Sequence, residues 1–163
     1  AARLKAVSAD HLLHISDTGI KRLARSGTIA TLLPLTAFSL NEPYAPGRRM
    51  IDAGCAVALA SDLNPGSCFS SSIPLLFALA CIQMKLTPEE ALTALTINGA
   101  AALGREKKVG SIDVGKKADL VLLKFPSYKF LPYHIGMNIV DTVIKDGVLY
   151  LVCRLVLEKK NLK

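Results

Sequence analysis

The chain has 163 residues, 51% of them hydrophobic and 20% charged, with no tryptophan and a formal net charge of +7. That is enough for one ordinary domain with a real core, or for a piece of a larger one. It leaves no membrane span, since charged or polar residues break every run before the ~18 apolar residues that crossing requires.

The basic residues are scattered or terminal (Lys21, Arg22, Arg25; Arg48, Arg49; Arg105, Lys107, Lys108; Lys159, Lys160, Lys163), with few aromatics between them to stack bases. A nucleic-acid partner is set aside on that ground. Cysteines at positions 55, 68, 81 and 153 have no CxxC or zinc-finger spacing, so neither a disulfide nor a structural metal is expected. The first residues lack the basic head and apolar body of a secretory signal, which makes the cytoplasm the default location.

In chain order, residues 1–6 read as the end of a helix without an N-cap ahead of it, and residues 7–12 as a short strand end carrying Asp10 and His11. Ser16 caps a helix whose apolar face is Ile20, Leu23 and Ala24 and which stops near Ser26-Gly27. Residues 28–33 form a buried strand ended by Pro34, followed by a loop with Thr36 and Phe38, then a short helix over about residues 47–53 stopped by Gly54. Residues 56–60, A-V-A-L-A, have no polar alternation and predict a strand buried on both faces. A helix over 72–85 follows, and Thr87-Pro88-Glu89-Glu90 opens another that runs to about Ile97, with Asn98-Gly99 interrupting it before one further turn. Three strand-helix units in succession imply a parallel sheet. The character then changes: residues 110–123 read as turn-rich β structure, and Asp146-Gly147 between two apolar runs reads as a hairpin.

The stretch A-V-A-L-A-S-D-L-N-P-G-S organises the rest. Asp62 stands where a buried strand meets a loop, at the carboxyl end, where parallel α/β folds gather their functional groups. His11 stands at the equivalent place two strands earlier. A closed barrel would aim both at one mouth, and a carboxylate with an imidazole suits metal-assisted hydrolysis. Asn64-Pro65-Gly66-Ser67 adds an amide, a rigid turn, a permissive backbone and a hydroxyl, parts for holding a polar ligand. The same residues also read as an Asx-type turn capping the strand, and His11 as a histidine satisfied by neighbouring backbone.

S-A-D-H-L with I-S-D-T-G-I, then A-L-A-S-D-L-N-P-G-S, then G-S-I-D-V-G-K-K-A-D-L-V-L-L resemble the imidazolonepropionase family of the amidohydrolase superfamily over about residues 4–150. The S-D-x-N-P-G-S element is specific to that family, whereas G-S-I-x-x-G-K-x-A-D-L is shared by many amidohydrolases. The resemblance implies hydrolysis of the ring amide of 4-imidazolone-5-propanoate to N-formimidoyl-L-glutamate in histidine degradation, with one zinc or iron ion. It implies that His11 and Asp62 are catalytic, that Asp62 is also a metal ligand, and that Asn64, Gly66 and Ser67 bind the substrate. It implies an α/β fold: the carboxyl-terminal part of a TIM-like (β/α)8 barrel, about three βα units over residues 1–107. A segment of a small β-rich composite (sandwich) domain over 108–150 follows, and residues 151–163 resemble nothing in the family.

Such a barrel needs ~250 residues. The family's H-x-H metal pair, third metal histidine and substrate-binding arginine correspond to sequence ahead of Ala1, and positions 13 and 18, where the family has Glu, hold Leu and Thr. The chain alone is therefore expected to hold no catalytic ion tightly and to have little activity. The shared element by itself would also permit a heterocyclic-base deaminase, and a metal-free interaction module is the reading from outside enzymology. Open sheet edges and strands apolar on both faces predict association with a copy of the chain, with the missing half, or with its own tail over residues 149–157.

Overall fold

The structure is a computed structural model and describes residues 1–151. A 3-10 turn (Ala2–Leu4) leads into β1 (Ser8–Asp10), α1 (Asp17–Ser26), β2 (Ile29–Leu32), α2 (Pro34–Leu40), α3 (Gly47–Asp52) and β3 (Val57–Leu59). β1, β2 and β3 pair in that order, all parallel. Because strand side chains alternate, one face carries Ala9, Ala30, Leu32, Val57 and Leu59 into the apolar core beneath the helices. The other face carries Asp10, Thr31 and Ala58, which lie in one register row.

α1 forms as the sequence predicts. Ser16 accepts the Gly19 N–H at 3.1 Å, Ile20 and Leu23 are buried, and Gly27 ends the helix at φ 72°, a left-handed conformation cheap only for glycine. The loop expected to hold Thr36 and Phe38 is instead helix α2. Pro34 ends β2 and at the same time occupies the first turn of α2, where its missing N–H costs nothing. Four consecutive residues, Pro34, Leu35, Thr36 and Ala37, are buried there.

α4 (Ile73–Ile82) follows, capped by Ser72. Residues 76–80 are all buried, so this helix is packed on every side rather than amphipathic. It stops three residues short of the predicted end, because Lys85 takes a left-handed conformation (φ 61°) and its ammonium donates to the Ile82 carbonyl at 2.7 Å. α5 (Pro88–Leu95) has the predicted capping box: Thr87 accepts the Glu90 N–H at 3.2 Å and the Glu90 carboxylate accepts the Thr87 N–H at 2.8 Å. Glu90 also takes the Arg48 guanidinium at 2.7 Å, which clamps α3 to α5 and holds the Glu90 carboxyl below its usual pKa.

The helix break predicted at Asn98-Gly99 lies at Thr96 instead (φ −108°, ψ −93°), and Asn98 and Gly99 are inside α6 (Ile97–Ala102). The reason is tertiary: the Asn98 amide donates to the Val57 carbonyl at 2.8 Å, tying α6 to the start of β3.

Of the β structure predicted over 110–123, only β4 (Leu120–Leu123) is a strand. Ahead of it the backbone bonds locally, as in Lys116 N–H to the Asp113 carbonyl at 3.2 Å. Gly110 seats this segment against α6. At φ 96° a Cβ there would fall 2.8 Å from Ala100 Cβ and 2.9 Å from Ile97 Cα, so only glycine fits. A short helix the sequence did not announce, α7 (Phe130–Tyr133), packs on α4. β5 (Val140–Lys145) and β6 (Val148–Leu151) form the predicted hairpin, with Asp146 and Gly147 both at positive φ, and β4 completes an antiparallel sheet in the order β4-β5-β6. Of the tail over residues 149–157 expected to cover an edge, 149–151 lie in β6 and pair with β5, and the remainder, with Cys153, falls in residues 152–163, outside the described part.

Candidate active site

Three strand ends build the site. The His11 N–H donates to the Thr31 carbonyl at 3.1 Å, so β1 stays bonded to β2 up to His11; the chain then turns through two left-handed residues, His11 (φ 66°) and Leu12 (φ 60°). At the end of β3 the Ala60 N–H donates to the Leu32 carbonyl at 3.2 Å, and two residues later Asp62 takes φ 52°. Left-handed non-glycine residues cost of order 1–3 kcal/mol each and gather at functional sites. Here two of them carry the residues singled out from sequence.

These turns bring the side chains together. His11 Nε2 lies 3.9 Å from Asp62 Oδ2, with about half of the His11 side chain and about a quarter of the Asp62 side chain exposed. They are 51 residues apart in sequence. Both face the carboxyl ends of the strands, as a shared mouth requires. A third residue completes the group: Thr36, 4% exposed, donates its hydroxyl to the same Asp62 oxygen at 2.8 Å. Sequence reading placed Thr36 in a loop and gave it no role. The available signal was Pro34 at a first helical position, which puts Thr36 on the first turn of a helix starting at a strand end.

The N-P-G-S loop is closed on itself. The Asn64 amide nitrogen donates to the Asp62 carbonyl at 2.7 Å and to Ser67 Oγ at 2.9 Å, and its oxygen accepts the Gly66 N–H at 2.9 Å and the Ser67 N–H at 2.8 Å. The Asn64 N–H meets the Cys68 carbonyl at 2.9 Å. This is the Asx-turn geometry, and it fixes the backbone that carries Asp62. Of the remaining histidines, His14 is exposed in the loop after β1, and His134 stacks on Phe125 at 4.6 Å. A surface concavity lined by Ala2, Arg3, Arg22, Arg25 and Ser26 lies by the amino-terminal ends of β1 and β2, away from these side chains.

Among the described residues no group of three or more His, Cys, Asp or Glu side chains converges as metal ligands. A catalytic zinc takes three protein ligands. Asp62 could offer one of them, so the described residues do not make such a centre by themselves.

The amidohydrolase family model matches residues 3–150. The chain belongs to the amidohydrolase family. It is 82% identical over 151 residues to the imidazolonepropionase of Parabacteroides distasonis, covering 93% of this chain and 36% of that protein. It is 71% identical over 150 residues to the imidazolonepropionase of Bacteroides fragilis and 66% over 147 residues to that of Clostridium tetani, covering 36% and 35% of those proteins. The chain thus spans about a third of the length of the curated relatives it matches. Among solved structures, a zinc-bound adenosine deaminase from Xanthomonas campestris superposes with a TM-score of 0.82 at 26% identity, over 92% of this chain and 39% of that one. The E. coli guanine deaminase gives 0.71 at 20% identity, over 88% and 39%, a likeness of fold. Among the described residues no helix is long and apolar enough to cross a membrane.

Proposed function

We propose that this chain is the carboxyl-terminal part of an imidazolonepropionase, comprising about three βα units of its barrel and a segment of its composite sandwich domain. The enzyme hydrolyses the cyclic amide of 4-imidazolone-5-propanoate in the cytoplasm. The observation that carries the reading is the meeting of His11 and Asp62 at strand ends in a chain this similar to imidazolonepropionases. In the reaction, a water oxygen bonds the ring carbonyl carbon, Asp62 takes a proton from that water, the ring carbon–nitrogen bond breaks, and the proton passes to the departing nitrogen. The carbonyl becomes the new carboxylate of N-formimidoyl-L-glutamate. His11, beside Asp62 on the same mouth, steadies the oxyanion as the carbonyl is attacked.

Asn64, Gly66 and Ser67 present the loop that receives the substrate's polar end. A zinc or iron ion with Asp62 among its ligands would make the water more acidic. Its other ligands, and the remaining barrel strands, would come from the part of the enzyme that this chain does not include, and association with that part covers the open sides of β1 and β3.

A chimera tests the proposal. The matched stretch of the Parabacteroides distasonis imidazolonepropionase is replaced by this chain, and loss of 4-imidazolone-5-propanoate is followed alongside product identity. Turnover within about tenfold of the parent, a difference of ~1.4 kcal/mol in barrier, is expected, with N-formimidoyl-L-glutamate formed and no ammonia released. A folded chimera that leaves the imidazolone intact, or that instead deaminates a heterocyclic base, would refute the proposal.

A further inference from the structure

We propose that Thr36 is a positioning residue for Asp62, holding one oxygen of its carboxylate so that the other is presented for the reaction. The inference deepens the function proposed above and depends on it for its kinetic part alone.

The case begins with what threonines do inside helices. The usual partner of a helical Thr hydroxyl is the carbonyl four residues back. Two other threonines of this chain follow that habit: Thr93 donates to the Glu89 carbonyl at 2.9 Å and Thr96 to the Leu92 carbonyl at 2.7 Å. Thr36 does not. Four residues before it stands Leu32, still in β2, so its hydroxyl is free to reach across 26 residues of sequence to Asp62.

Burial makes the bond specific. Thr36 is 4% exposed, on a first helical turn locked between the end of β2 and α4, and α2 packs against α4. A threonine in a helix has two χ1 rotamers open to it, and Thr36 occupies one that donates to Asp62. The acceptor is an ionisable carboxylate, and such bonds are among the stronger ones a neutral donor can make.

The bond also divides the labour of the carboxylate. Oδ2 receives Thr36 and is the oxygen nearest His11 Nε2, whereas among the described residues no hydrogen bond reaches Oδ1. A group that must take up a proton needs one oxygen with free lone pairs and a fixed direction. Asp62 is itself a left-handed residue in the loop that follows β3. Thr36 supplies the restraint from a neighbouring strand end.

The test compares Thr36→Val, which keeps the shape and removes the hydroxyl, with Thr36→Ser, which keeps the hydroxyl. In the chimera described above, Thr36→Val is expected to lower kcat by about 10–100-fold, the usual scale for losing a group that orients a functional side chain. KM should stay within about threefold, because the loss falls on the transition state. Thr36→Ser should recover kcat to within about threefold of the unsubstituted chimera. Crystal structures supply the second readout: the Asp62 carboxylate should rotate away from the position of the missing hydroxyl in Thr36→Val and stay in place in Thr36→Ser. Unchanged kcat in Thr36→Val, equal losses in both variants, or an Asp62 carboxylate that keeps its place in Thr36→Val would each overturn the assignment. If the unsubstituted chimera fails to act on the imidazolone, the function proposed above falls, and the crystallographic pair still decides whether Thr36 positions Asp62.

Discussion

β3 and β4 are both short apolar strands, Val-Ala-Leu in one and Leu-Val-Leu-Leu in the other, yet they live in different environments. All three residues of β3 are buried, whereas Val121 and Leu122 of β4 are 57% and 47% exposed. The difference lies in what is stacked on the sheet. The parallel sheet is flanked by α3, α5 and α6, and its strands point their apolar rows into a core that contains Leu32, Met50, Leu76 and Phe77. The antiparallel sheet has one hairpin and the short α7 near it, and its order comes from turn chemistry and surface charge: Lys145 to Asp119 at 2.9 Å, Lys117 to Asp146 at 2.7 Å, and Asp146 N–H to Asp119 Oδ1 at 2.8 Å. One region is held by packing and the other by polar contacts that water can replace.

The largest expected effect tests that contrast directly. Leu32→Ala opens a cavity in the packed region and should cost about 2–5 kcal/mol, while Leu122→Ala, half in water already, should cost well under ~1 kcal/mol. Urea denaturation midpoints of the two variants check it, and equal losses would break the comparison.

A smaller effect is expected at the joint between the regions. Gly110→Ala forces a Cβ against α6 at a positive φ and should cost about 1–3 kcal/mol. Hydrogen exchange should then rise in residues 108–123 more than in α4. Uniform exchange throughout the chain would mean that the joint is not local.

The smallest is a pH effect. The carboxyls of Asp119 and Asp146 are held below their usual value of 3.8, chiefly by Lys145 and Lys117 respectively. A depressed folded pKa gives stability that is present above 3.8 and lost as pH falls through the folded value, so acid should loosen the β5–β6 hairpin before the parallel sheet. Amide exchange in β5 and α4, followed downward from about pH 5, checks the order, and added salt should mimic part of the effect.

The local signals that survived intact are those whose physics is local. Ser16, Thr87 with Glu90, and Asp146-Gly147 behaved as cap, capping box and turn because each is complete within a few residues. The signals that failed were overruled from a distance. Asn98 looked like a breaker and became a helix residue because Val57 offered its carbonyl, and the supposed loop at Thr36 became a helix because Pro34 could serve both the end of β2 and the start of α2. The site divides the same way. His11 and Asp62 were legible, since each follows a short small-residue strand, and their approach to 3.9 Å follows from parallel neighbours whose carboxyl ends share one side.

Thr36 was not legible as a site residue, because no spacing rule links a hydroxyl on α2 to a carboxylate 26 positions later. Sequence by itself determined the alternation of strand and helix, the hairpin, and the two residues at the strand ends, because apolar periodicity and turn chemistry act over a few residues. The tertiary structure alone decided which oxygen of Asp62 is held, how the N-P-G-S loop closes, and how far β4 is left in water. Those depend on the directions in which distant backbones aim their side chains, and on the layers stacked above each sheet.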